Sequence, residues 1–176
     1  MSYRSQWWVV AAVAGIAAAC SSISANSDYD QSYDFSTLHN YAWAEISGDK
    51  QQADQISLKR VMDATDQALA SKGFAKTEPS QASFLVAIQT GKQQEQQYTT
   101  YGMGAWRAGG MSTTTEQTYD EGTLIIDIVD AQKKQLVWRG SANGTLDPSA
   151  STQKKTENAN EAVTKILANF PPQKGS

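Results

Sequence analysis

The sequence predicts an α+β fold, an antiparallel or mixed sheet with two helices packed on one face. Three observations carry this expectation. Two stretches, about Gln55 to Lys72 and about Ser151 to Asn169, place apolar residues at helical spacing. Three others, around Ser83 to Gln89, Thr123 to Val129 and Gln135 to Ala142, alternate apolar and smaller or polar residues with the period of a strand. Their order is strand, helix, strand, irregular insert, hairpin, helix, which segregates helices from an antiparallel hairpin rather than interleaving them regularly.

Taken in order, Tyr33 to Trp43 is rich in aromatics and reads as extended, with Tyr41 and Trp43 on one face. The first helix carries Leu58, Val61, Met62, Thr65, Ala68 and Leu69 on its buried side, with Asp54 as N-cap and Gly73-Phe74 as a left-handed stop followed by an apolar contact. Asp63 and Asp66 share a flank of this helix with Lys59 and Arg60, which reads as a solvated charged face. Pro79 breaks the chain before the strand carrying Phe84, Val86 and Ile88. From Gln93 to Gly122 the chain is Gln-rich and then glycine-containing, and reads as a mobile loop or a loose hairpin. Next comes the clearest hairpin, with Leu124, Ile126 and Ile128 sharing a face with Leu136 and Trp138, and Asp127 and Arg139 pairing across the opposite face. Asn143-Gly144-Thr145 reads as a turn. The last helix presents Ala159, Ala162, Val163, Ile166, Leu167 and Phe170, is stopped by Pro171-Pro172, and should pack beside the first.

The N-terminus says where the protein is expected to reside. Cys20 is the single cysteine and directly follows an apolar run of 13 residues, Trp7 to Ala19, itself preceded by Arg4. Such a run suits the core of a signal peptide and falls short of the ~18 residues a spanning helix needs. An ordinary signal peptidase and a lipoprotein peptidase would both cut before Cys20. The first would leave a lone thiol in an oxidising compartment. The second would leave a sulfur carrying diacylglycerol, and Ala17-Ala18-Ala19-Cys20 resembles the lipobox with Ala17 in place of its usual Leu. Lipid attachment at Cys20, palmitate included, is the expectation. Several acyl chains at about 0.8 kcal/mol per buried methylene would anchor the protein permanently. By resemblance to lipoproteins of Gram-negative bacteria, Ser21 implies the outer membrane, facing the periplasm. The expected organisation is therefore a signal peptide over 1–19, a flexible lipidated tether over 20–28, one domain over 29–172 and a short tail over 173–176. Extended, Ser21 to Ser32 would reach roughly 40 Å.

Composition and motifs exclude more functions than they suggest. Cleavage before Cys20 removes Arg4 and no acid, taking the net charge from −3 to −4, and mild acidity argues against nucleic acid as a partner. His39 is the only histidine, so neither a Ser-His-Asp nor a Cys-His constellation can be assembled beside an anchored cysteine. Gly102-x-Gly104 has Arg107 where a dinucleotide fingerprint needs its third glycine. Asp120, Glu121, Asp127 and Asp130 lack the spacing of a calcium loop. No cofactor, metal or catalytic residue is therefore expected. Tyr98, Tyr101, Met103, Trp106 and Met111 form either the insert's own packing or a partner-contact surface, since aromatics and Met are favoured at interfaces.

The hairpin wording, Tyr119-Asp120-Glu121-Gly122-Thr123-Leu124-Ile125-Ile126-Asp127-Ile128-Val129-Asp130-Ala131 and then Leu136-Val137-Trp138-Arg139-Gly140, resembles a bacterial lipoprotein family known as domain of unknown function 4136. Tyr33-Asp34-Phe35, Tyr41-Ala42-Trp43, the strand from Ala82 to Val86 and Leu167 to Pro172 resemble it too. Ser83 departs from it, since such sequences often carry an acid after the Ala. The resemblance implies a periplasm-facing lipoprotein domain without known catalytic residues. The expected function is a non-enzymatic binding or scaffold module of the cell envelope, with the membrane as one partner through Cys20 and an envelope protein, lipid or wall component as another. An auxiliary subunit of a lipid-transport assembly and an envelope hydrolase are the alternatives.

Overall fold

The computed structural model describes residues 23–44, 55–102 and 112–173, with side chains described for 23–44, 55–93 and 120–173. Its elements in chain order are β1 (Ser24–Tyr29), β2 (Asn40–Trp43), α1 (Gln55–Ser71), β3 (Ala75–Lys76), β4 (Phe84–Gly102), β5 (Ser112–Asp130), β6 (Leu136–Leu146) and α2 (Thr152–Ile166). The strands form one mixed sheet in the order β1-β6-β5-β4-β2-β3. Pairs β1/β6, β6/β5 and β5/β4 are antiparallel, whereas β2 runs parallel to both β3 and β4. The parallel pairing follows from connectivity, because α1 carries the chain from β2 back to β3 as a crossover. This is the α+β class expected, with α1 and α2 side by side over the sheet.

Alternation builds the core on the helix side. Phe84, Val86, Ile126, Ile128 and Trp138 from the sheet meet Leu69 of α1, Val163 and Ile166 of α2, and Leu167 and Phe170 beyond it, all essentially inaccessible. Phe170 is the hub, with ring centroids of Phe35, Phe74, Phe84 and Trp138 at 6.4, 5.5, 6.0 and 5.2 Å. Burying such a ring stabilises by about 1.5–3 kcal/mol before edge-to-face terms are added.

Local signals set the helix ends. Gly73 has φ +89°, Gly73 N–H donates to Ala70 O at 3.0 Å and Phe74 N–H to Leu69 O at 3.1 Å. These paired bonds satisfy carbonyls that the end of α1 would otherwise leave open, and they seat Phe74 in the core. At α2, Ser151 Oγ accepts from Lys154 N–H at 3.2 Å as an N-cap. The expected cap Asp54 lies outside the described residues.

Several expectations are corrected. The tether read over 20–28 is not flexible from Ser24 onward: Ser24–Tyr29 is an edge strand paired residue by residue with β6, and Lys165 Nζ donates to Ile23 O at 2.8 Å. Backbone pairing to an existing sheet edge orders this polar segment without any apolar face of its own. Only Asn40–Trp43 of the aromatic segment is a strand, since Asp34 caps a 3₁₀ turn over Phe35–Thr37 by accepting from Ser36 N–H and Oγ. Asn143-Gly144-Thr145 is no turn but strand, paired with β5 throughout and, at Asn143, with β1 as well. Leu136 does not share the core face with Trp138 and stays 43% exposed. Val129 pairs with Leu136 while Ile128 pairs with Trp138, so Val137 is an extra residue in a β-bulge and turns inward instead.

Candidate functional surface

The largest departure from expectation lies in the segment from Gln93 to Gly122. Of the two readings, a mobile loop or a loose hairpin, the pairing is that of a hairpin, and a long, regular one: β4 and β5 are antiparallel partners over their full length, from Phe84↔Asp130 to Gly102↔Ser112. β6 stops at Leu146, opposite Asp120, and β2 ends its pairing with β4 at Val86. Beyond Asp120 the pairs from Glu95↔Tyr119 to Gly102↔Ser112 therefore stand as a two-stranded ribbon. Among the described residues neither flank of that ribbon has a further strand partner. Its eight pairs extend about 27 Å at ~3.4 Å per residue.

Tyr98 and Tyr101 lie on β4 within this ribbon, opposite Glu116 and Thr113. Met103, Trp106 and Met111 of the expected contact surface, and Cys20 of the expected lipid site, fall outside the described residues. The extent of the ribbon was hidden in the sequence because Gln, Thr and Tyr alternate there without an apolar run, which leaves hydrophobic periodicity silent.

Polar side chains elsewhere serve as fasteners. Asp127 and Arg139 stand directly opposite on the sheet face away from the helices and pair as expected, Nε to Oδ1 at 2.6 Å and Nη2 to Oδ2 at 2.7 Å. Gln89 Nε2 adds a bond to Asp127 Oδ2 at 3.0 Å, and the fork around Asp127 holds the Arg139 guanidinium above its ordinary pKa. Asp127 is buried and Leu85, Ala87, Ile125 and Val129 beside it are partly covered, while the Arg139 side chain stays 47% exposed.

Asp66, read as part of a solvated flank, ties α1 to the sheet. It accepts from Tyr41 Oη at 2.7 Å, Trp43 Nε1 at 3.1 Å and Lys76 Nζ at 2.9 Å. Burial, and then the Asp66 carboxylate, push the Tyr41 hydroxyl well above its ordinary pKa. Asp63 does pair with exposed Lys59 at 2.7 Å, as the sequence indicated. Asp130 caps the β5–β6 turn, accepting from Gln132 N–H at 2.8 Å, Lys133 N–H at 2.7 Å and Tyr33 Oη at 2.7 Å. Burial raises its pKa, but these donors outweigh that and hold it below the ordinary value. In each case both carboxylate oxygens accept from protein donors. His39 is exposed. Among the described residues no group of three His, Cys, Asp or Glu is placed to hold a metal ion, and no helix is long and apolar enough to cross a membrane.

Ser83, the departure from the family pattern, is a residue whose role the sequence did not disclose. Its Oγ donates to Asn40 O at 2.7 Å and accepts from His39 N–H at 2.9 Å and Asn40 N–H at 3.1 Å. One hydroxyl thus stitches the start of β2 to the start of β4.

Among solved structures, the chain is similar to a PDZ domain protein from Parabacteroides distasonis, with 14% identity and a TM-score of 0.51, covering 87% of this chain and 36% of that one. The chain thus spans about a third of that protein, and the likeness is one of fold. It is also similar to the PelC dodecamer from Paraburkholderia phytofirmans (9% identity, TM-score 0.46, covering 83% and 95%). A third similarity is to a neuraminyllactose-binding hemagglutinin homolog from Helicobacter pylori (11% identity, TM-score 0.42, covering 78% and 88%). No curated protein matches. Residues 25–172 match the family described as domain of unknown function (DUF4136), a stretch that takes in the sheet from β1 to the chain beyond α2, and the chain belongs to that family.

Proposed function

We propose that the protein is a non-enzymatic binding module of the cell envelope, anchored through acylated Cys20 in the outer membrane and facing the periplasm. The observation that carries this reading is the β4–β5 ribbon, which projects past the neighbouring strands and has no further strand partner on either flank among the described residues. A two-stranded ribbon alone is marginal in water, so a segment of that length gains by meeting something else. Paired backbone with free edges also suits recognition by contact rather than catalysis, which needs converging side chains. The apolar run ending at Cys20 supplies the location.

Mass spectrometry of the N-terminal peptide from the membrane fraction tests the anchor. The expected species begins at Cys20 and carries diacylglyceryl and acyl mass. An unmodified Cys20 on soluble protein would refute it. A photo-crosslinker at Thr99 or Thr114 tests the contact surface. It is expected to give a recurrent envelope adduct, while a label at Ser57 on α1 does not.

A further inference from the structure

We infer that the β4–β5 ribbon lies along the surface of the membrane that holds Cys20, with lipid headgroups as its contact. The inference rests on the anchoring reading above and follows from two lengths. β1 enters the sheet at Ser24, so only four residue steps separate the Cα of Cys20 from that of Ser24. At ~3.3–3.6 Å per residue, this link spans at most about 14 Å. It is a third of the roughly 40 Å that a tether reaching Ser32 would give.

The second length is that of the sheet. Ser24 sits beside Asn143 of β6, which sits beside Thr123 of β5. From Thr123, β5 continues for eleven residues to Ser112 at one end and for seven residues to Asp130 at the other. These arms measure about 37 Å and 24 Å along the strand. Either arm is longer than the link, so the strands cannot stand along the bilayer normal in either sense without driving one arm through the membrane surface.

Neither arm can be accommodated inside. Among the described residues the outer edges of the ribbon have no strand partner for their N–H and C=O groups, and Glu95 and Glu116 lie on it, so hydrocarbon would leave polar groups unsatisfied. A headgroup layer, with its water and phosphates, satisfies them. The short link therefore brings the strand axis down towards the membrane plane, and the longer arm, the ribbon, runs out over the lipid. Lys165 Nζ on Ile23 O and the β1–β6 ladder keep the chain seated up to the link, so the domain does not gain reach by releasing its first strand.

The test uses the acylated protein in phosphatidylethanolamine–phosphatidylglycerol vesicles containing a lipid with a nitroxide on its headgroup. Because the Cys20 sulfur is consumed by the lipid, Thr99→Cys and Thr114→Cys each offer one thiol for an environment-sensitive fluorophore. Both positions are expected to be quenched strongly relative to the same labelled protein carrying Cys20→Ser. Inserting twelve Gly/Ser residues between Ser22 and Ile23 is expected to weaken that quenching at least twofold. Labels quenched no more than in the Cys20→Ser protein would overturn the inference, and so would quenching indifferent to the insertion. A sample whose mass shows no acyl group on Cys20 defeats the anchoring reading instead, and that is seen before any vesicle is made.

Discussion

Gly140 lies on β6 beneath the six-membered ring of Trp138, and a Cβ there would overlap Trp138 Cη2 and come within 2.6 Å of Ile166 Cγ2. Both neighbours are about 1% exposed and locked by the packing around Phe170, so neither can step aside. Gly140→Ala is therefore expected to destabilise the fold by about 1–3 kcal/mol through overpacking. Gly122 provides the contrast. A Cβ there would meet Leu146 Cδ2 at 2.8 Å, but that side chain is 44% exposed at the end of β6 and can rotate into solvent. Gly122→Ala should shift stability by no more than about 0.5 kcal/mol. Urea unfolding of the two variants checks the pair, and equal losses would show that close approach at Gly140 is not what its missing side chain serves.

Between elements, the Ser83 hydroxyl joins two strands that the chain separates by 44 residues, counted from its partner His39. Ser83→Ala removes the hydroxyl that accepts from the His39 and Asn40 amides and donates to the Asn40 carbonyl. A loss of about 1–2 kcal/mol is expected, together with faster hydrogen exchange at those two amides and unchanged exchange in β5 and β6. Uniformly faster exchange would mean that the hydroxyl supports the whole sheet rather than the β2–β4 seam. The same scale separates what the sequence discloses from what it hides. α1, α2 and the β5–β6 hairpin were legible because burial on one face writes itself as apolar spacing. β1 and the length and regularity of the ribbon were not, because Ser24–Tyr29 and the Gln/Thr/Tyr runs become strands through backbone pairing to a neighbour, which leaves no side-chain period. The bulge at Val137 hid for a related reason, since one extra residue reverses the facing of everything before it. Of the candidate site, Cys20 stands out as a motif, whereas the four residue steps from it to the sheet emerge only once β1 is in place.

For the molecule as a whole, pH reports on how carboxylates fasten its turns. Asp30, Asp130 and Asp147 are each held below the ordinary 3.8. At Asp30 and Asp147 the Ser32 and Ser149 hydroxyls and amides do this; at Asp130 burial pulls upward but the Lys133, Tyr33 and Gln132 donors prevail. A group with a depressed native pKa contributes stability that is complete above its unfolded value and disappears as pH falls through the native one. Tyr41 and Tyr33 work in the opposite sense, because burial first, and then Asp66 for Tyr41 and Asp130 for Tyr33, raise their hydroxyls above 10.0, so their contribution is complete below that value and is lost as pH rises past it. Stability should therefore be flat between about pH 5 and 9 and fall on both sides. Asp130, the buried member of the three carboxylates, lets the acid side be assigned. Asp130→Asn keeps the shape but weakens the charge-assisted bonds, so it should lose about 1–2 kcal/mol at pH 7 and show a smaller acid drop than the natural protein. In urea midpoints measured from pH 7 downward, the two proteins should converge once the pH falls below the depressed native pKa of Asp130, where its carboxyl is protonated as well. Curves that stay parallel throughout would place the acid sensitivity in the summed charge of the molecule rather than in the turn that Asp130 closes.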